Sequence, residues 1–202
     1  MAIIASRFDA RECLKALTLI ESDLNQLAFA STEAQFHAPP RTGGWSVGHC
    51  IEHLTLTGHA FAAKWDTAIK QGVSLNGHNG NTLYPWWQRR LLGIVEPPYR
   101  MKGKTGQSFV PYSRRSKEET IRQFLSMHQE FVRAIDRSHS LDTQRTKIQS
   151  PFVAWIWYPL GFSFDLALAH ERRHLWQACE VYRHLLSGIR ALRSNRKRWT
   201  DT

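Results

Sequence analysis

The sequence predicts an all-α fold, a four-helix bundle with long crossover connections. Four segments carry apolar residues at a helical period, no stretch of convincing length alternates as a strand does, and clusters of proline and glycine separate the helical segments. At 202 residues the chain has the size of one domain with a substantial core. That domain is expected over residues 1–190, with a basic C-terminal tail over 191–202.

The first helix is expected from about Phe8 to Ala30, where Cys13, Leu14, Leu17, Ile20, Leu24 and Leu27 make one stripe uninterrupted by glycine or proline. "PPRTGGWS" then breaks the chain, and Ser46 is the expected N-cap of a second helix running to about Lys70, before Gly72. A long connection follows over residues 72–115, with a short helix expected in "LYPWWQRRLLGIV" and loop in "EPPYRMKGKTGQSFVPYS". Ser116 with Glu119 reads as a capping box that opens the third helix, which continues to about Asp136. An irregular stretch over 139–161 precedes the fourth, expected from near Ser163 to just before Gly188, a residue suited to a helix C-terminus.

Composition narrows the function classes. The net charge of +10 suits an anionic partner, yet much of it lies in "RALRSNRKRWTDT" and "RRSK", and no nucleic-acid-binding motif accompanies it. A solvated basic surface is the reading, with no specific nucleic acid. Three cysteines without CxxC spacing fit a reducing compartment. The N-terminus lacks a signal-peptide apolar region, and the longest mostly apolar run, "FVAWIWYPLGF", is too short to span a bilayer. A cytoplasmic protein without membrane contact is expected.

The chemistry-bearing motif is "LALAHERRHLWQ". On a helical wheel Ala167, His174, Ala178, Val181 and Leu185 share one face, His170 lies one turn from His174 near the same line, and Arg172, Arg173 and Glu180 point elsewhere. Two inward imidazoles one turn apart can reach a single ion, which satisfies groups that would otherwise be buried without partners. A third ligand is sought in "WSVGHCIEHLTLTGHAF". His53 borders the face made by Cys50, Leu54, Thr57, Phe61 and Trp65, whereas His49 falls outside it and His59 lies on the far side, so His53 is preferred. On the third helix His128 is inward with Ile121, Phe124, Val132 and Ile135. It is read as a core histidine bonded to a neighbouring helix in preference to a fourth ligand or outer partner.

His170-Glu171 and His174 also spell HExxH. A zinc protease takes its third ligand downstream, but the helix continues without glycine to Gly188 and the only acidic residue after Glu180 is Asp201. The chain is therefore not read as a protease.

"GWSVGHCIEHL" and "LALAHERRHLWQ", with the connection "PPYRMKGKTGQSFVPYSRRSKEETIRQF" between them, resemble the DinB-like superfamily of the DinB_2 type over about residues 8–188. The resemblance implies a DinB/YfiT-like four-helix bundle holding a divalent metal through three histidines, one from the second helix and two from the last. By motif these are His53, His170 and His174, the set the wheel also selects. It further implies S-transferase or isomerase chemistry with a low-molecular-weight thiol such as bacillithiol or mycothiol, and a possible homodimer. Its DNA-damage name does not imply DNA binding.

Three neutral imidazoles leave coordination positions for a substrate or thiol, and zinc or nickel suits such a set. The leading expectation is a metal-dependent thiol S-transferase acting on a small molecule. The alternative is a non-catalytic metal-binding bundle that serves as a ligand- or partner-binding module. Glu171 is read as partly exposed and paired with Arg172 or Arg173, in preference to a base or a group that orients a ligand histidine. Gln177 is expected to hydrogen-bond a ligand or substrate, Trp45 and Trp176 to pack, and Arg89, Arg90 and Arg100 are candidates to meet a carboxylated thiol.

Overall fold

The computed structural model describes residues 5–75, 82–98, 105–112 and 115–200, with the side chains of 188–200 outside the description. Four long helices form the bundle: α1 (Ala10–Ala30), α3 (Val47–Lys70), α5 (Lys117–Arg137) and α6 (Leu160–Thr200). Two shorter helices, α2 (Glu33–His37) and α4 (Trp86–Val95), a 3₁₀ turn at Gln107–Phe109, and a hairpin of β1 (Lys147–Gln149) with β2 (Trp157–Pro159) complete the described elements. Helix α1 packs against α5 and α6, and α3 packs against the same two, so α1 and α3 occupy diagonal corners.

The stripes read from the sequence are the core. Cys13, Leu17, Ile20, Leu24 and Leu27 of α1 are buried, as are Cys50, Leu54, Thr57, Phe61 and Trp65 of α3. Gly58 lets α3 approach α5 closely, since a Cβ there would lie 2.0 Å from the Met127 sulfur. Aromatic packing fills the centre, with the Trp65 ring 4.5 Å from Phe131 and 5.1 Å from Phe164 between centroids.

Several boundaries differ from expectation for local reasons. Helix α6 starts at Leu160, not near Ser163, because the preceding loop satisfies its first amides: Leu160 N–H donates to Thr146 O and Gly161 N–H to Thr143 O. Ser163 sits inside the first turn, where its hydroxyl donates to Leu160 O and accepts from the Trp65 indole. The helix also runs through Gly188 to Thr200, so the expected stop is absent. One interior glycine costs only about 1 kcal/mol relative to alanine, and Ala191, Leu192 and Arg193 beyond it are strong helix formers. The capping box at Ser116 is half formed. Ser116 Oγ accepts from Glu119 N–H at 3.2 Å, but the Glu119 carboxylate turns to Gln123 and Arg115. At Ser46 the box is complete with His49 in the reciprocal role, its Nδ1 accepting from Ser46 N–H. That capping duty explains why His49 stands apart from the inward face.

The described parts of the long connection pack on α6 and α3. Tyr84 donates to Asp165 Oδ2 at 2.6 Å, and Arg172 pairs with Glu96, so both ends of α4 are fastened to α6. Burial pushes the Asp165 carboxyl up to about 7, an effect the Tyr84 bond and Arg172 partly offset. Beyond α4, a 3₁₀ turn at Gln107–Phe109 rests on α3.

Candidate metal centre

His53 projects from the second turn of α3, and His170 and His174 project from successive turns of α6. The three meet between the helices. One ligand atom from each lies within 4.8 Å of the other two, and the ring centroids are 4.5–5.1 Å apart. His53 and His174 are buried, while His170 is partly open to a cavity. His53 Nε2 and His170 Nε2 face each other at 3.3 Å.

The outer hydrogen bonds fix how the rings present their lone pairs. His53 Nδ1–H donates to the carbonyl of Phe109 at 2.8 Å, and His174 Nδ1–H donates to Gln177 Oε1 at 3.0 Å. Each ring therefore carries its proton on Nδ1 and leaves Nε2 as a bare donor, the arrangement that outer partners impose on metal-binding histidines. All three are held neutral at pH 7. Burial lowers His53, partly offset by the Phe109 carbonyl. Burial, then His174, His53 and Arg173, puts His170 well below its ordinary value. His174 is brought down to about 3 by burial, with His53 and Arg173 adding to the effect and Gln177 opposing it. Three converging neutral imidazoles, two of them with Nε2 unprotonated, fit a borderline divalent cation.

Two cavities meet at this point. The larger, about 830 Å³, is lined by Phe61, Trp87, Leu91, Phe109, Phe152 and Leu166 together with the three histidines. The smaller, about 620 Å³, lies between α6 and the turn before α3 and is lined by Thr42, Gly43, Gly44, Trp45, Gln177 and Glu180. Gly43 and Gly44 have φ of +78° and +108°, values that favour glycine, and they turn the chain into Trp45. The Trp45 ring lies 4.8 Å from His53 and 5.8 Å from His174 between centroids, so this side chain covers the imidazoles as well as packing.

Other expected residues fall in different places. Glu171 is buried, not partly exposed, and its partner is His128 at 3.1 Å, not an arginine. Helix α6 is enclosed on every side over Leu160–Ala169, so residues flanking the histidine face are also covered. His128 Nε2–H donates to Leu17 O at 3.1 Å, and its Nδ1 faces the Glu171 carboxylate. Both ring nitrogens thus meet acceptors. Burial opposes charge on His128, but the Glu171 and Leu17 contacts outweigh it and raise its pKa. It is a core histidine bonded to neighbouring helices, as expected, and is not among the three converging rings. Arg173, read as pointing away, lines both cavities and donates to Ile94 O. Arg89 and Arg90 are exposed and do not line the larger cavity, and Arg100 lies outside the described residues. Gln177 takes the histidine-bonding role expected of it.

The Phe109 carbonyl had no sequence signal, because a backbone atom from a loop 56 residues away carries no motif. Trp45 and Arg173 had weak ones, the first as an aromatic one residue before the N-cap and the second as a charge beside a ligand histidine.

The sequence model of the DinB superfamily matches residues 16–178. The chain belongs to the DinB superfamily. Among solved structures, it is similar to YfiT from Bacillus subtilis, with 14% identity, a TM-score of 0.55 and 87% of each chain covered. That protein is described as "a probable metal-dependent hydrolase with an unusual four-helix bundle topology". At this identity the likeness establishes the shared fold. No curated protein matches the chain. No helix among the described residues is long and apolar enough to cross a membrane.

Proposed function

We propose that this DinB-superfamily chain is a divalent-metal-dependent enzyme, with zinc or nickel held by His53, His170 and His174, and that its reaction is S-transfer from a small thiol of the bacillithiol or mycothiol type. The observation that carries the proposal is the convergence of three neutral imidazoles, two with the outer nitrogen tied to a fixed acceptor, beside a cavity large enough for a small molecule. A bound divalent ion supplies Lewis acidity, which lowers the pKa of a thiol or water and stabilises developing negative charge.

The protein's own residues then bind and orient. The Phe109 carbonyl and Gln177 hold two imidazole rings in place, and Trp45 shields them on the side of the smaller cavity. Among the described residues no carboxylate lines the larger cavity, Glu171 is committed to His128, and Glu180, on the wall of the smaller cavity, is paired with Arg183. A thiol needs only to ionise before attack, whereas water attack gains from a positioned base. This donor set therefore favours sulfur as the nucleophile. Hydrolysis is the second reading, favoured by the description of YfiT.

Metal-loaded protein mixed with bacillithiol or mycothiol and a panel of electrophiles is expected to consume thiol, and chelation is expected to stop it. Thiol loss that persists without metal would overturn the proposal. Electrophile cleavage without thiol consumption would select hydrolysis, and tight binding without turnover would select a binding module.

A further inference from the structure

We propose that the substrate is amphiphilic: a large apolar body lies in the chamber of about 830 Å³, and its polar reacting end lies at the imidazoles, where the smaller groove begins. This rests on the metal reading above and adds the class of substrate to it.

The chamber wall is built from five separate parts of the chain, with Phe109 contributed by the 3₁₀ turn. Phe61 comes from α3, Trp87 and Leu91 from α4, Phe152 from the loop of the hairpin, and Leu166 from α6. The polar side chains on that wall, apart from the three histidines and Arg173, are Thr57, Thr105, Ser150 and Tyr158. Thr57 Oγ1 already donates to His53 O, and Ser150 Oγ accepts from the amides of Phe152 and Val153. Apart from Thr105 and the Tyr158 hydroxyl, which is buried without a hydrogen-bond partner, little polar capacity faces the interior, and a mainly apolar occupant fits it.

The mouth points the same way. Trp87, Phe152 and Ile156 line the chamber and are each about 40% exposed, at 43%, 42% and 39%. Apolar side chains at a cavity mouth keep their exposure at a cost that an apolar ligand would remove. The smaller groove differs in character, with Thr42, Gln177, Glu180 and His184 on its wall. His174, Arg173 and Thr105 line both spaces, so a ligand spanning them passes the imidazoles at the change from apolar to polar.

The test uses zinc-loaded protein and a series of straight-chain hydroxamates from acetohydroxamate to decanohydroxamate. Affinity is expected to rise about twofold to fourfold per methylene until the chamber is full. Val153→Trp, at a loop position on the chamber wall, is expected to flatten that slope while leaving acetohydroxamate affinity within threefold. If acetohydroxamate binds but chain length has no effect, the proposal is overturned and the metal reading stands.

A second arm does not depend on the ion. The neutral fluorophore N-phenyl-1-naphthylamine is expected to bind, and Ile156→Glu, which places a charge in the chamber wall, is expected to weaken it more than tenfold. Failure of every hydroxamate to bind, with this fluorophore pattern intact, would sink the metal reading and leave the apolar chamber supported. Fluorophore binding unchanged in both variants would overturn the proposal.

Discussion

Replacing Gln177 by leucine isolates the contribution of one outer bond to the metal centre. Gln177 Oε1 accepts from His174 Nδ1–H at 3.0 Å, and His174 is 9% exposed. Leucine keeps most of the side-chain volume and removes the acceptor. In the metal-free site the imidazole is then free to rotate towards another partner, but in the loaded site Nε2 is committed to the ion and Nδ1–H stays unpaired. The penalty therefore falls on affinity. A buried donor left unpaired costs about 1–3 kcal/mol. Loss of an outer partner typically lowers metal affinity about 10- to 100-fold, which is about 1.4–2.8 kcal/mol. The two ranges agree, so a loss of at least tenfold is expected for Gln177→Leu in a competitive chelator titration with zinc. Gln177→Glu retains an acceptor and is expected to bind at least as tightly as the parent. A Gln177→Leu protein within twofold of the parent, with an unchanged helical spectrum, would refute the assigned tautomer and the role of this bond.

Zinc affinity is expected to fall less between pH 7.5 and 6 than at three ordinary imidazoles, because burial brings His174 down to about 3 and also lowers His53 and His170; calorimetry in two buffers at pH 6 should detect fewer imidazole protons released than the roughly two expected of three ordinary histidines, and release of two or more would contradict the lowered values. Burial raises the Asp165 carboxyl from 3.8 to about 7, so the unfolded chain loses its proton first and stability falls as pH rises across that interval. At about 1.4 kcal/mol per pH unit the loss approaches about 4 kcal/mol, and Asp165→Asn should remove it. Denaturation at pH 5 and pH 8 checks this, and an equal effect of the substitution at both would contradict it. Glu171→Ala leaves His128 without its carboxylate partner and is expected to cost about 3–5 kcal/mol of stability while one zinc per chain is retained. Loss of zinc from a folded Glu171→Ala protein would place Glu171 in the metal centre after all.

The bundle and the histidine trio were legible because both follow from the helical period. His170 and His174 share a face by spacing alone, and His53 was separated from His49 and His59 by its place beside Cys50, Leu54 and Phe61. What stayed hidden depends on contacts between distant segments. Helix α2 has five residues, too short for a periodic signal, and the β1–β2 hairpin pairs three residues with three. Glu171 was misread because the wheel assigns its side of α6 partly to solvent, whereas His128 of α5 meets its carboxylate there in the buried interior. The chamber draws its walls from five segments, so no local pattern announces it.

The central claim is tested most directly by the metal content and absorption-edge spectrum of protein purified without added chelator. About one divalent ion per chain, with three imidazole nitrogens in its shell and with His53→Ala, His170→Ala and His174→Ala each losing most of the metal while staying folded, is the predicted result. An ion bound through other residues, or metal content unchanged in all three variants, would contradict it.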